Sequence, residues 1–254
     1  MGRGRNIATI LQPLNKCASQ CYLGTGLHTL GLLNWILQQT GRADVYVSTF
    51  STSEAFLNGF FNLRKKKLIG HSVLLADLKA SRKTVQLYRL MQSCFDTVYL
   101  GMNHSKIVLV QNDTHLVSVI SSQNQTYGDR AECTMVTTDR TAFLDLYSGL
   151  RNIVDKNSIQ LNGLFNRITG RDNQVRENTN DPSMVSFRLG IDEVQLHDDI
   201  NTLGHPARRA YYSGLEETDR ELRQQLLDLM RAGSPSAIAD CQQRIERILN
   251  ETTV

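Results

Sequence analysis

The segment Asn103-His-Ser-Lys-Ile-Val-Leu-Val110, followed by Gln111-Asn-Asp-Thr114 and His115-Leu-Val-Ser-Val-Ile120, decides how this chain is read. Ile107–Val110 and Leu116–Ile120 are almost continuously apolar rather than alternating. That pattern describes central strands covered on both faces. The polar tetrad between them reads as a hairpin turn. Pairing Val110 with His115 sets Lys106 opposite Val119 and His104 opposite Ser121. A slip of one residue decides whether Ser121 or Ser122 shares the face of His104. In either register Ser121-Ser-Gln-Asn124 arrives beside His104-Ser-Lys106.

His104 and Lys106 are two apart on an extended segment, so they project from one face with Cα atoms roughly 6.6 Å apart. A lysine in such apolar surroundings rarely goes without a partner. With Ser122, Asn124 and Glu132 they place imidazole, ammonium, hydroxyl, carboxamide and carboxylate at spacings that suit one phosphate. A neutral imidazole is a competent nucleophile near pH 7, and a fixed cation with amide donors stabilises charge on phosphoryl oxygens. The competing reading is plainer: a surface His and Lys, a polar turn, and a surface Glu on the stretch from Arg130 to Thr137.

The His-x-Lys element, the later Ser-x-Asn and the Glu beyond it resemble the signature of the phospholipase D superfamily. The resemblance covers residues 27 to 155 in the order of its elements. Asp44-Val-Tyr-Val-Ser-Thr-Phe-Ser51 reads as a strand with a polar exit loop, 54 to 67 as a helix and 69 to 77 as a strand. A helix over 84 to 94 and a strand over 97 to 100 follow. This β-α-β-α-β rhythm predicts an α/β fold. The resemblance implies a phospholipase D-like sandwich, a mixed β-sheet with helices on both faces, and a helical C-terminal extension is expected beyond it. Two departures stand out. The longer signature places Asp at position 111, where this chain has Gln111, and the usual Gly before the Ser is Ser121.

The resemblance implies that His104 attacks phosphorus to form a phosphohistidine while Lys106 and Asn124 hold the non-bridging oxygens. Ser122 would add a hydroxyl, and Glu132 would accept a hydrogen bond from the second nitrogen of a histidine. No metal or other cofactor is implied. Family members use two such histidines, and His28, His71, His115, His197 and His205 have no Lys two residues on. A homodimer pairing two copies of His104 is therefore expected.

Composition, 41% hydrophobic and 21% charged over 254 residues, suits one α/β core with an appendage. No apolar run approaches the ~18 residues a membrane span needs, and Met1-Gly-Arg-Gly-Arg-Asn6 lacks a signal-peptide apolar core and a myristoylation pattern. The expectation is a cytoplasmic protein without a membrane partner. Five cysteines form no regular framework; Cys17-x3-Cys21 lacks a second pair for metal, and Cys94, Cys133 and Cys241 read as reduced structural residues. The basic run Arg64, Lys65, Lys66, Lys67 offers contacts to a phosphate backbone, or simply complements a helix dipole. Nucleic acid, DNA ahead of RNA, is the expected partner. A metal-independent nuclease leads; a degenerate non-catalytic nucleic-acid-binding or assembly protein, or a phospholipid hydrolase, are the alternatives.

A polar, turn-rich stretch between Asn157 and Pro182 suggests a boundary, giving a catalytic domain over 1–160 and a mostly helical extension over 161–254. In the extension, 216 to 231 reads as a helix with Leu222, Leu226, Leu229 and Met230 inward. Ser234-Pro235 opens another, with Ile238, Cys241, Ile245, Ile248 and Leu249 on one face.

Overall fold

A computed structural model describes residues 7–78, 87, 90–125, 130–161, 220–222, 224–229, 231–232 and 234–251. Its strands are β1 (Ser19–Gly24), β2 (Ala43–Thr49), β3 (Ile69–Asp77), β4 (Thr97–Gly101), β5 (Ile107–Gln111), β6 (Leu116–Ser121), β7 (Glu132–Thr137) and β8 (Ser158–Gln160). They form one sheet in the order β1-β7-β6-β5-β2-β3-β4-β8. β2, β3 and β4 run parallel, and the remaining pairs are antiparallel. The helices are α1 (Thr29–Thr40), α2 (Glu54–Lys65), α3 (Arg140–Asn157) and α4 (Pro235–Glu251). Residues 87 and 90–94 are also helical, within the expected helix over 84 to 94.

The near-continuous apolar strands are explained by layers on both faces. Val108 and Val110 join Val45, Val47 and Val119 in a core shared with α1 and α2, while Ile107 and Leu109 meet Phe143, Leu150 and Val154 of α3. Alternate residues of one strand thus enter two different cores. The mixed sheet with helices on both faces is as the sequence predicts. α2 starts where the Ser53 hydroxyl caps it, accepting from the Phe56 N–H. α3 starts the same way, with the Asp139 carboxylate accepting from the Ala142 N–H.

The hairpin register differs from expectation by two residues. Gln111 continues the ladder opposite Leu116, Val110 faces Val117, and Ser121 rather than Val119 lies opposite Lys106, its N–H bonded to the Lys106 carbonyl at 3.0 Å. The turn is tighter because the Asn112 side-chain oxygen accepts from the backbone N–H groups of Thr114 and His115 and from the Thr114 hydroxyl. A two-residue shift preserves which side chains face which core, so the layer assignment survives it.

Three strands went unread in the sequence. β1 is a polar edge strand with alternating exposure, β7 begins with the polar Glu132-Cys-Thr134, and β8 is three residues long. None carries the apolar run by which central strands are recognised. In the C-terminal part, Leu222, Leu226, Leu229, Cys241, Ile245 and Ile248 are buried in the same cluster as the sheet and α1, with Ile238 packed against it. The stretch from 162 to 219, most of the boundary region with it, lies outside the described residues, as does Met230.

Candidate active site

All eight strands have an end at one edge of the sheet, β8 beginning there where Ser158 pairs with Gly101. β2, β3 and β4 finish there at Thr49, Asp77 and Gly101. β5 and β7 begin there, and β1 and β6 end there, as the pairings Ser48 with Ile107, Ser121 with Thr134 and Gly24 with Glu132 require. In sheets with parallel strands, the carboxyl ends are where ligands usually bind.

His104 and Lys106 occupy the four irregular residues before β5. What holds them is Asn103, only 4% exposed. Its side-chain amide donates toward Ser48 Oγ (2.9 Å) and the carbonyls of Thr49 and Leu75 (both 3.2 Å). Its oxygen accepts from the Ser105 N–H (3.1 Å) and hydroxyl (2.7 Å), and its own N–H reaches Asp77 Oδ2 at 3.1 Å. Ser105 Oγ meets Ser48 Oγ at 2.5 Å. With Asn103 and Ser105 committed inward, His104 and Lys106 turn outward. Lys106 Nζ then lies 3.3 Å from His104 Nδ1 and donates to the His104 carbonyl at 2.8 Å.

The second motif abuts the first through the β5–β6 ladder. Ser121, opposite Lys106, has its hydroxyl at 2.9 Å from Thr134 Oγ1 and accepts from the Gln123 N–H. Ser122 donates to Glu132 Oε2 and accepts from the Cys133 N–H. The hydrogen bond that Glu132 accepts therefore comes from Ser122, not from an imidazole. Asn124 is partly buried, and its Oδ1 has no hydrogen-bond partner. An amide oxygen only accepts, so an anion cannot complete its bonding; it is the Asn124 side-chain NH2 that can donate to a phosphoryl oxygen.

The loop leaving β2 clamps this segment. The Gln125 N–H donates to the Ser51 carbonyl at 3.0 Å, the Ser53 hydroxyl donates to the Gln125 carbonyl at 3.2 Å, and Thr52 forms a β-bridge with Gln125. Phe50 on that loop lies against the His104 ring, centroids 4.6 Å apart. Neither Asn103 nor Phe50 carried a role in the sequence reading. An Asn directly before the His-x-Lys, at a strand entry where a polar side chain must be buried, was the available signal for the first.

The basic run lies elsewhere. α2 leads away from the site edge, so Arg64–Lys67 reach the opposite edge of the sheet, a helix length of roughly 18 Å along. Arg64 is engaged there: its guanidinium donates to Asp96 Oδ1 at 2.5 Å and to the Cys94 carbonyl at 2.8 Å. Lys65, Lys66 and Lys67 are exposed, with Lys67 in the left-handed region at φ 59. Partial burial pushes the Asp96 carboxyl up. Hydrogen bonds from Ser72 and the charges of Arg64 and His71 outweigh it and hold the group below its ordinary value. Burial pushes the Cys94 thiol up to about 12 despite Arg64 nearby, in keeping with an inert structural cysteine.

Gln111 also sits at that far edge, at the distal end of β5 about 14 Å beyond Ile107. It lines a cavity of about 470 Å³ with Asp44, Asp113, His115, Arg140 and Tyr147. The departure from the family signature is therefore remote from the His-x-Lys end. Among the described residues no three His, Cys, Asp or Glu side chains are grouped to hold a metal ion, and no helix is long and apolar enough to cross a membrane.

No family model and no curated protein matches the sequence. Solved structures do match it. They include a phospholipase D family member, Nuc from Salmonella typhimurium, at TM-score 0.43 and 12% identity over 55% of this chain and 96% of that one. NucT from Helicobacter pylori gives 0.41 and 12% over 55% and 98%. Phosphatidylserine synthase from Haemophilus influenzae gives 0.40 and 12% over 81% and 47%. These likenesses are loose.

Proposed function

We propose that this protein is a phosphodiesterase that cleaves nucleic acid through a phosphohistidine at His104, working as a homodimer without a metal ion. The single observation that carries this reading is the outward presentation of His104 beside Lys106, anchored by buried Asn103 and its bonds to Ser105, at the edge where Ser122, Asn124 and Glu132 also lie. In this reading the His104 imidazole attacks phosphorus while Lys106 and Asn124 take the non-bridging oxygens. The leaving oxygen receives a proton from a second imidazole, and water then releases the phosphoryl group. Lys106 contributes most as negative charge builds on those oxygens, because a fixed cation needs no reorganisation at that moment.

The second imidazole is assigned to the partner subunit's copy of this histidine, since one His-x-Lys exists per chain. Nucleic acid is preferred to lipid because of the exposed Lys65–Lys67. The test is cleavage of labelled DNA and RNA, with a phospholipid assay beside them, in excess EDTA. The wild type is expected to cut nucleic acid and His104→Ala to lose cutting while keeping its fold by circular dichroism. Equal turnover by both proteins would remove the enzyme reading, and strict Mg²⁺ dependence would point to another site.

A further inference from the structure

We infer that Phe50 is a positioning residue for the nucleophile, fixing the plane of the His104 imidazole and offering its ring face to the charge that develops there. The inference rests on the phosphodiesterase reading of the site. His104 is exposed, and the hydrogen bonds of Asn103 and Ser105 fix the backbone on either side of it but not the imidazole. Lys106 touches Nδ1 and so leaves the ring free to tip about that contact.

Phe50 supplies the missing restraint. Its ring centroid is 4.6 Å from that of His104 with the planes at 51°, within the range of favourable tilted aromatic pairs. Lys106 Nζ lies 5.9 Å from the centroid of the same ring, inside cation–π reach. One apolar side chain therefore touches both members of the His-x-Lys pair. Attack on phosphorus places positive charge on the imidazole, and a quadrupole presented to it favours that charge. A leucine of similar bulk would occupy the space without offering a face.

The ring is itself held in register with the second motif. Phe50 follows the fully buried Thr49, whose hydroxyl donates to the Ser51 carbonyl at 2.8 Å. That same carbonyl accepts from the Gln125 N–H. Since Gln125 directly follows Asn124, a displacement of the Ser-x-Asn loop would carry Phe50, and with it the His104 ring, along.

The experiment compares full-length wild type, Phe50→Leu and Phe50→Tyr, each checked for unchanged circular dichroism. Side-chain NMR of His104 is expected to show ring-current-shifted, motionally restricted resonances in wild type and Phe50→Tyr, and unshifted, mobile ones in Phe50→Leu. Turnover is expected to fall about tenfold in Phe50→Leu, the loss of one aromatic pair, with KM within twofold and Phe50→Tyr close to wild type. His104 resonances alike in all three proteins would overturn the inference, as would lost ring-current shifts with unchanged kcat. If the wild type cleaves no phosphodiester, the phosphodiesterase reading fails and the NMR comparison alone decides whether Phe50 orders His104.

Discussion

Lys106 Nζ stands 3.3 Å from His104 Nδ1, and an ammonium can only donate. In the neutral ring Nδ1 is then the acceptor and the proton resides on Nε2. An imidazole whose Nε2 carries the proton cannot attack through that nitrogen. The prediction is that an anion drawing Lys106 to itself frees Nδ1 and shifts the tautomer. Nitrogen-15 NMR should show the Nε2–H form in free protein, moving toward Nδ1–H with orthovanadate and in Lys106→Met without it. One tautomer unchanged across all three conditions would contradict this.

Asn103 should matter to stability more than any other polar residue at the site. Its truncation would leave Ser48, Ser105 and the carbonyls of Thr49 and Leu75 short of partners in a buried setting. Asn103→Ala is expected to cost about 2–3 kcal/mol in urea unfolding, beyond the loss of one exposed hydrogen bond. A cost under ~1 kcal/mol would mean that water or a local shift replaces the network.

Asp96 gives the fold an acid-sensitive joint. Its carboxylate joins Arg64 of α2 to Ser72 of β3 just ahead of β4, and its folded-state value lies below the ordinary 3.8. A depressed carboxylate adds stability that is fully present above the unfolded value and lost as pH falls through the folded one. The stability gap between wild type and Asp96→Asn should hence be flat above roughly pH 5 and shrink below pH 4. Melting curves from pH 3 to 7 would check it; a gap that widens in acid would refute the assignment.

The four basic residues at 64 to 67 should divide in their effects. Replacing exposed Lys65, Lys66 and Lys67 with Gln is expected to weaken duplex DNA binding and flatten its salt dependence, each lost phosphate contact removing about 0.9 of the log-log slope. Arg64→Gln, by contrast, should lower the melting temperature, because it removes the ion pair to Asp96 and leaves that carboxylate to Ser72 and His71. An unaltered salt slope in the triple lysine variant would make the run solvated surface.

Subunit mixing addresses the dimer. Exchange of His104→Ala chains into wild type removes either the nucleophile or the acid from each mixed dimer, so activity should follow the square of the wild-type fraction under random exchange. A linear decline would assign the acid to another histidine within the chain, for which His28 at the start of α1 is the first residue to replace.

The sequence by itself determined the layers and the pairing of motifs. Ile107–Val110 and Leu116–Ile120 are too apolar for a half-exposed sheet, and the polar tetrad between them forces the hairpin that brings Ser121–Asn124 beside His104–Lys106. These are local consequences of side-chain hydrophobicity and chain reversal, so they are written along the chain. What only the tertiary structure decided depends on residues distant in sequence. The register was settled by Asn112, whose side-chain amide ties the turn to the carbonyls of Thr40 and Arg42, the polar edge strand β1 by β7 beside it, and the engagement of Arg64 by Asp96. The aim of His104 rests on Asn103 reaching Ser48 and Leu75, and on Phe50 arriving from the end of β2. Burial of a polar anchor and contact between two rings are properties of the assembled sheet edge, and no spacing along one strand encodes them.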